Sequence, residues 1–192
     1  MSFHNALTRI PTICHDCFLE LDPVLKRFYV DDIECFHIYF YNQKVQELLY
    51  QFKGCSDYEL RTTFLEYYAT YLNIKFNGYT IVPAPSHKES DEERGFNHVE
   101  EMFKILKLKM IKCIHKTGKV KQADLTTKER EKIGKHLTID DIDLSDKKIL
   151  LVDDVFTTGS TIKSMIKLVQ EKGAKKVKVL VMSKTIDLEK RE

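Results

Sequence analysis

The chain has 192 residues, 43% of them hydrophobic and 31% charged, with a net charge of +2. That length allows one good-sized α/β domain with a small appendage, and the composition is that of a globular chain. The near-neutral balance names no partner, no apolar run approaches the about 18 residues of a membrane span, and five cysteines are too sparse and odd a set for a disulfide framework.

In chain order, MSFHNALTRIPTICHDC has no hydrophobic export core, so a cytoplasmic location is expected. Cys14 and Cys17 form a CxxC knuckle. One knuckle supplies two thiolates, and a structural zinc wants four ligands. Cys35, with His37 two residues on, would complete a Cys3His site at an irregular spacing. A redox pair is the weaker alternative, because no strand leads into this CxxC in a βαβ unit. In QKVQELLYQFK (43–53), Val45, Leu48, Leu49 and Phe52 form one helical stripe. Ser56-Asp57-Tyr58-Glu59 has the form of a capping box for a second helix. Its buried side would be Leu60, Phe64, Tyr67, Tyr68, Tyr71 and Leu72.

The pattern then changes, and KFNG (75–78) marks the best subdomain boundary. The division expected is a cysteine-containing segment over 1–40, a helical subdomain over 41–77 and a main domain over 78–192. YTIVPAP (79–85) is a short strand stopped by two prolines. A charged loop and an amphipathic helix with Val99, Met102, Phe103 and Leu106 follow, and then a strand at MIKCI (110–114). From Lys104 to Lys121 there are seven lysines and no acid. Such a face attracts phosphate backbones, or is simply solvated. Thr126 to Glu129 offers another capping box. KILLVD (148–153) is a buried strand, Ser160 to Lys172 a helix stopped by Gly173, and VKVLVMS (177–183) the next strand. Strand–helix–strand alternation implies a parallel sheet with helices on both faces.

The chemistry concentrates in KILLVDDVFTTGST (148–161). Ligands of open parallel sheets sit beyond the carboxyl ends of the strands, where Asp153 and Asp154 stand. The turn that follows opens a helix, whose first N–H groups and macrodipole favour an anion. Gly159 permits close backbone approach. The hydroxyls of Thr157, Thr158, Ser160 and Thr161 can donate to phosphate oxygens. Carboxylates accept from sugar hydroxyls. A ribose 5-phosphate carries both groups, and a plain helix cap would explain only one of the four hydroxyls.

Apolar residues 149–152, two acids, two more residues and then Thr-Gly resemble the phosphoribosyl-pyrophosphate (PRPP) motif of type I phosphoribosyltransferases. The resemblance implies that fold over residues 79–184. It places the ribose hydroxyls on Asp153 and Asp154, the 5-phosphate on Thr157 through Thr161, and pyrophosphate on Pro85-Ser86-His87-Lys88, with Mg²⁺ bridging pyrophosphate and sugar. VPAPSHKESDEERGFNHVE resembles the P-x-P … E-R-G-F-N segment of ComF competence proteins, and Gln122 followed by Arg130 their Q … R segment, with Ile133 where the family often has asparagine. YNQKVQELLYQFKGCSDYEL resembles the helical segment ahead of their transferase-like domain. ComF proteins commonly carry further CxxC pairs, so a lost site or a shortened N-terminus stands beside zinc.

Arg94 is a bidentate phosphate candidate, or else it locks the loop with Phe96. The family resemblance implies a role in natural transformation on incoming single-stranded DNA, with other competence proteins as partners, and the lysine run would put Lys112, Lys116 and Lys119 on the DNA face, with Gln122 and Arg130 as further phosphate or nucleic-acid contacts. The alternative is an active transferase moving ribose 5-phosphate from PRPP to a nitrogen base, although residues 36–75 contain no evident base reader. A third reading is a regulator that senses PRPP without turnover.

Overall fold

The computed structural model of the chain describes residues 12–116 and 137–186. Its centre is a five-stranded sheet. Strands β1 (Pro23–Val30) and β2 (Ile33–Phe40) form an antiparallel hairpin, and Asp31 turns it in the left-handed region at φ 54°. β2 then runs parallel to β7 (Lys176–Lys184), β7 to β6 (Lys148–Phe156), and β6 to β3 (Tyr79–Pro83). The spatial order is β1-β2-β7-β6-β3. A separate antiparallel pair joins β4 (Ile114–Lys116) to β5 (Leu137–Ile139). The expected strand at 110–114 is instead a single bridge from Met110 to Ile81, followed by β4.

Side-chain alternation divides the core. Leu150, Val152, Leu180 and Met182 face one layer, and Ile149, Leu151, Val179 and Val181 face the other. The first layer is covered by α1 (His15–Glu20), α2 (Gln43–Lys53), α3 (Ala69–Lys75) and α5 (His98–Phe103), through Phe18, Val45, Leu49, Phe52, Leu72 and Phe103. The second is covered by α6 (Ser160–Glu171), through Ile162, Met165, Ile166 and Val169. Each of these buried side chains contributes about 1.5–3 kcal/mol by leaving water. The hairpin of residues 23–40 is therefore built into the main sheet and shares its core with residues 148–184.

The helix expected from Ser56 breaks into 3-10 turns at Tyr58–Thr62 and Glu66–Tyr68 before α3 begins. Ser56 lies in the left-handed region at φ 59°, and the Asp57 carboxylate accepts from Glu59 N at 3.2 Å, a local turn that competes with a helical start. The break rotates the tyrosines away from their expected stripe. Phe64 and Leu72 are buried, while Tyr67 and Tyr71 are exposed.

Candidate functional site

β6 does not stop at Asp153. It continues to Phe156 and pairs with β7 as far as Lys184, so both aspartates lie within its last turn of pairing. The following loop enters α6 through Gly159, which has φ 76° and offers no side-chain cap. The Thr158 hydroxyl donates to Ser160 Oγ at 3.3 Å and accepts from Ser160 N at 3.5 Å. A cleft of about 320 Å³ opens above this turn. Of the residues singled out in the sequence, Pro85, Ser86, His87, Arg94, Lys116, Asp153, Asp154, Thr157, Gly159, Ser160 and Thr161 line it. Lys88 instead lines an adjoining cavity with Lys112, which also touches Pro85 and Ser86. That cavity extends along α4 (Lys88–Arg94), the helix that Gly95 ends at φ 82°.

The two acids occupy different environments. Asp154 is buried. Its Oδ1 accepts from Val155 N at 2.7 Å. Its Oδ2 accepts from Lys53 Nζ at 2.7 Å and from His98 Nε2 at 3.1 Å. Arg94 has no lone pair, so Nδ1 of His98 accepts from Arg94 Nη1 at 3.2 Å and Nε2 is left to donate to Asp154. Asp153 accepts Asp154 N through Oδ1 at 2.9 Å, and the Asp154 carboxyl lies beside it. Burial, then the charge of Asp154, pushes the Asp153 carboxyl up to about 8. Burial acts in the same direction on Asp154, but His98 and Lys53 outweigh it and hold that carboxyl well below the usual range.

Arg94 is committed to the protein. Its Nε donates to the Lys53 carbonyl at 2.8 Å, and its Nη1 reaches Asp91 Oδ1 at 3.2 Å as well as His98. Asp91 is joined in turn to Ser86 and Asn97, and Asn97 also caps α5. One network thus runs from the 85–88 turn to Asp154. The loop-locking role of Arg94 accounts for these contacts, while its guanidinium still borders the cleft. Neither Lys53 nor His98 was marked by the sequence pattern. Lys53 is the last residue of an amphipathic helix, and His98 follows the ERGFN run without a spacing that announces it.

The proposed zinc ligands do not meet. Cys14 caps α1 and Cys17 lies within it, and this helix docks through Phe18 onto one face of the sheet, while Cys35 belongs to the core on the other face. His37 lies between the rings of Phe28 and Phe40 and bonds through Nδ1 to Tyr39 O at 3.0 Å. Burial pushes the Cys35 thiol up to about 12, the reverse of what a metal thiolate needs. Among the described residues no group of three or more His, Cys, Asp or Glu side chains could hold a metal ion. The lysine run is partly neutralised, because Lys104 pairs with Glu101 and Lys112 with Glu100. Lys119, Lys121, Gln122, Arg130 and Ile133, with the capping box at Thr126, lie outside the described residues.

Comparison with known proteins agrees with the motif. Residues 94–191 match the phosphoribosyl transferase domain family. Over 175 residues the chain is 30% identical to competence protein ComFC of Streptococcus pneumoniae, covering 89% of this chain and 74% of that protein. Among solved structures, a purine phosphoribosyltransferase from Pyrococcus horikoshii aligns with a TM-score of 0.42 at 21% identity, over 63% of this chain and 73% of its own. A hypoxanthine-guanine phosphoribosyltransferase from Bacillus anthracis aligns with a TM-score of 0.44 at 16% identity, over 71% of this chain and 75% of its own. A mostly parallel sheet flanked by helices, with the Asp-Asp and Thr-Gly turn at the carboxyl end of an inner strand, and the match over 94–191 together make this the type I phosphoribosyltransferase fold. The chain belongs to the phosphoribosyl transferase domain family, as a ComFC-like member of it.

Proposed function

We propose that the cleft binds PRPP or a ribose 5-phosphate-type ligand, and that the protein acts as a ComF-type accessory factor on single-stranded DNA in natural transformation. One observation carries the ligand half. Asp153, the turn residues Thr157, Gly159, Ser160 and Thr161 with the N-terminus of the 12-residue helix α6, and the Ser86–His87 turn all line the same cleft, while Thr158 does not. Carboxylate, phosphate cradle and a second anion loop therefore stand within one ligand's reach. The DNA half is supported by the kinship with ComFC, a competence protein by name, and by the lysines between 104 and 121. A cytoplasmic site of action fits that role, and among the described residues no helix is long and apolar enough to cross a membrane.

Mg²⁺ fits here as a companion of the ligand. Asp153 lines the cleft beside the Ser86–His87 turn and would reach the ion once it gives up its proton, and Mg²⁺ is commonly held by one or two carboxylates plus substrate phosphates. When bound, the ion would neutralise pyrophosphate charge. The protein's own residues orient the sugar between Asp153 and the α6 turn.

Titration calorimetry with PRPP and Mg²⁺ is expected to show binding by the native protein. The Asp153→Ala/Asp154→Ala variant, checked for folding by circular dichroism, is expected to show none. Unchanged affinity in the folded variant would remove the sugar-hydroxyl role. Pyrophosphate release across a panel of bases separates a binding protein from a working transferase.

Single-stranded DNA is expected to bind weakly. With about five lysine–phosphate contacts, log K should fall against log salt with a slope near −3 to −4, at about 0.7 per contact. A flat salt response, or full binding after charge reversal at Lys116 and Lys119, would return this face to a solvated surface.

A further inference from the structure

Lys53 stands apart from the transferase motif. It closes α2, more than 100 positions before Asp154, yet its Nζ lies 2.7 Å from that carboxylate inside the cleft. The contact spans 101 residues of chain. Its backbone is pinned by Arg94, whose Nε donates to the Lys53 carbonyl at 2.8 Å. The side chain itself keeps 38% of its surface exposed, against 12% for Asp154. The backbone is thus anchored, while the side chain stands at the open cleft with room to turn from Asp154 toward it.

We propose that Lys53 is a ligand-binding residue of this cleft, whose ammonium passes from Asp154 to a phosphoryl oxygen when a sugar phosphate binds. The inference rests on the ligand reading above and adds to it a means of discrimination. In the free protein both oxygens of Asp154 are occupied, Oδ1 by Val155 N and Oδ2 by Lys53 and His98. A sugar hydroxyl can take a place on Oδ2 only if Lys53 leaves it. Lys53 leaves without loss only if an anion receives it. Bare ribose would leave the ammonium without its partner, and bare phosphate would leave Oδ2 with one donor fewer. A ligand with vicinal hydroxyls and a phosphoryl group answers both needs at once. Discrimination of this kind comes from the cost of the unpaired group in the wrong complex. His98 keeps Asp154 oriented throughout, because Arg94 holds its other ring nitrogen.

The groups that face Asp154 are Lys53 from α2, His98 from α5 and Asp153 from its own strand. Lys116 of β4 borders the same cleft. Lys53 is bonded directly to the Asp154 carboxylate while its side chain keeps contact with solvent.

The test uses the full chain and its Lys53→Met, Lys53→Arg and His98→Gln variants. Calorimetry is run with PRPP and with inorganic diphosphate, each with Mg²⁺. Lys53→Met is expected to lose about 10- to 100-fold in affinity for PRPP, the worth of a hydrogen bond to a charged group. It should lose affinity for diphosphate as well, and Lys53→Arg should restore most of both. His98→Gln loosens Asp154 but keeps the ammonium, so it should weaken PRPP while sparing diphosphate. Equal losses on both ligands for Lys53→Met and His98→Gln would show Lys53 to be a structural partner of Asp154 alone and overturn the proposal. So would native-like affinities in Lys53→Met. Failure of the native protein to bind PRPP would sink the ligand reading itself, and this inference with it.

Discussion

Asp154→Ala is expected to destabilise the protein by about 2 to 4 kcal/mol, because it strips the partner from a buried hydrogen-bonded group and an ion pair. The buried His98 side chain accounts for most of that cost, since its Nε2 proton is left with no acceptor. The Lys53 share is smaller, because a lysine 38% exposed turns to solvent instead. Asp153→Asn is expected to do the opposite. The amide keeps the acceptor for Asp154 N and carries no charge beside Asp154.

The pH dependence separates the two positions. Asp153 holds its proton in the folded state up to about 8, well above the unfolded value near 4. Its contribution is therefore fully present at low pH and is lost as pH rises through that window. Asp154 has a depressed folded value, so its contribution is present at neutral pH and is lost on acidification. Denaturant unfolding at about pH 5 and about pH 8 should show the advantage of Asp153→Asn over the native chain growing with pH. A gap that stays constant would refute the split between the two acids. Native-like stability of Asp154→Ala would refute its place at the centre of the network. The Asp153 position costs stability and lines the cleft, a pairing common where a residue is kept for binding.

Gly159→Ala should cost about 2 to 3 kcal/mol and distort the phosphate cradle, with a left-handed backbone contributing about 1–2 of that. The glycine has φ 76°, and a β-carbon placed there would stand 2.5 Å from the Phe156 ring. That ring cannot simply retreat. It packs edge-on against Phe28 with centroids 4.9 Å apart, tying the turn to the edge hairpin. Thermal melts measure the loss, and calorimetry with PRPP measures the damage to the α6 turn. Adding Phe156→Leu should recover the steric part while the backbone strain persists. A Gly159→Ala protein with native melting temperature and native affinity would show that this turn tolerates a side chain, and that close backbone approach is not its purpose.

The ligand turn was legible in the linear chain because its parts are contiguous. Apolar residues 149–152, two acids, the hydroxyl run and Gly159 fall within one strand–loop–helix unit, and local chemistry places them together whatever the rest of the fold does. The alternation of strands and helices likewise announced the sheet, and Val45, Leu49 and Phe52 bury as their spacing requires. What the sequence could not determine was anything that depends on which face of the sheet an element reaches. Cys35 and His37 look like partners for Cys14 and Cys17 on paper, but strand alternation sends Cys35 into the opposite core layer. Tyr67, Tyr68 and Tyr71 fit a helical stripe until Ser56 enters the left-handed region and the helix breaks. Lys53 and His98 reach Asp154 only because α2 and α5 pack over the same face of the sheet, across 101 and 56 residues of chain. Local periodicity carries no information about contacts at that range, and so the tertiary structure alone decided which of two adjacent aspartates is held by Lys53 and His98.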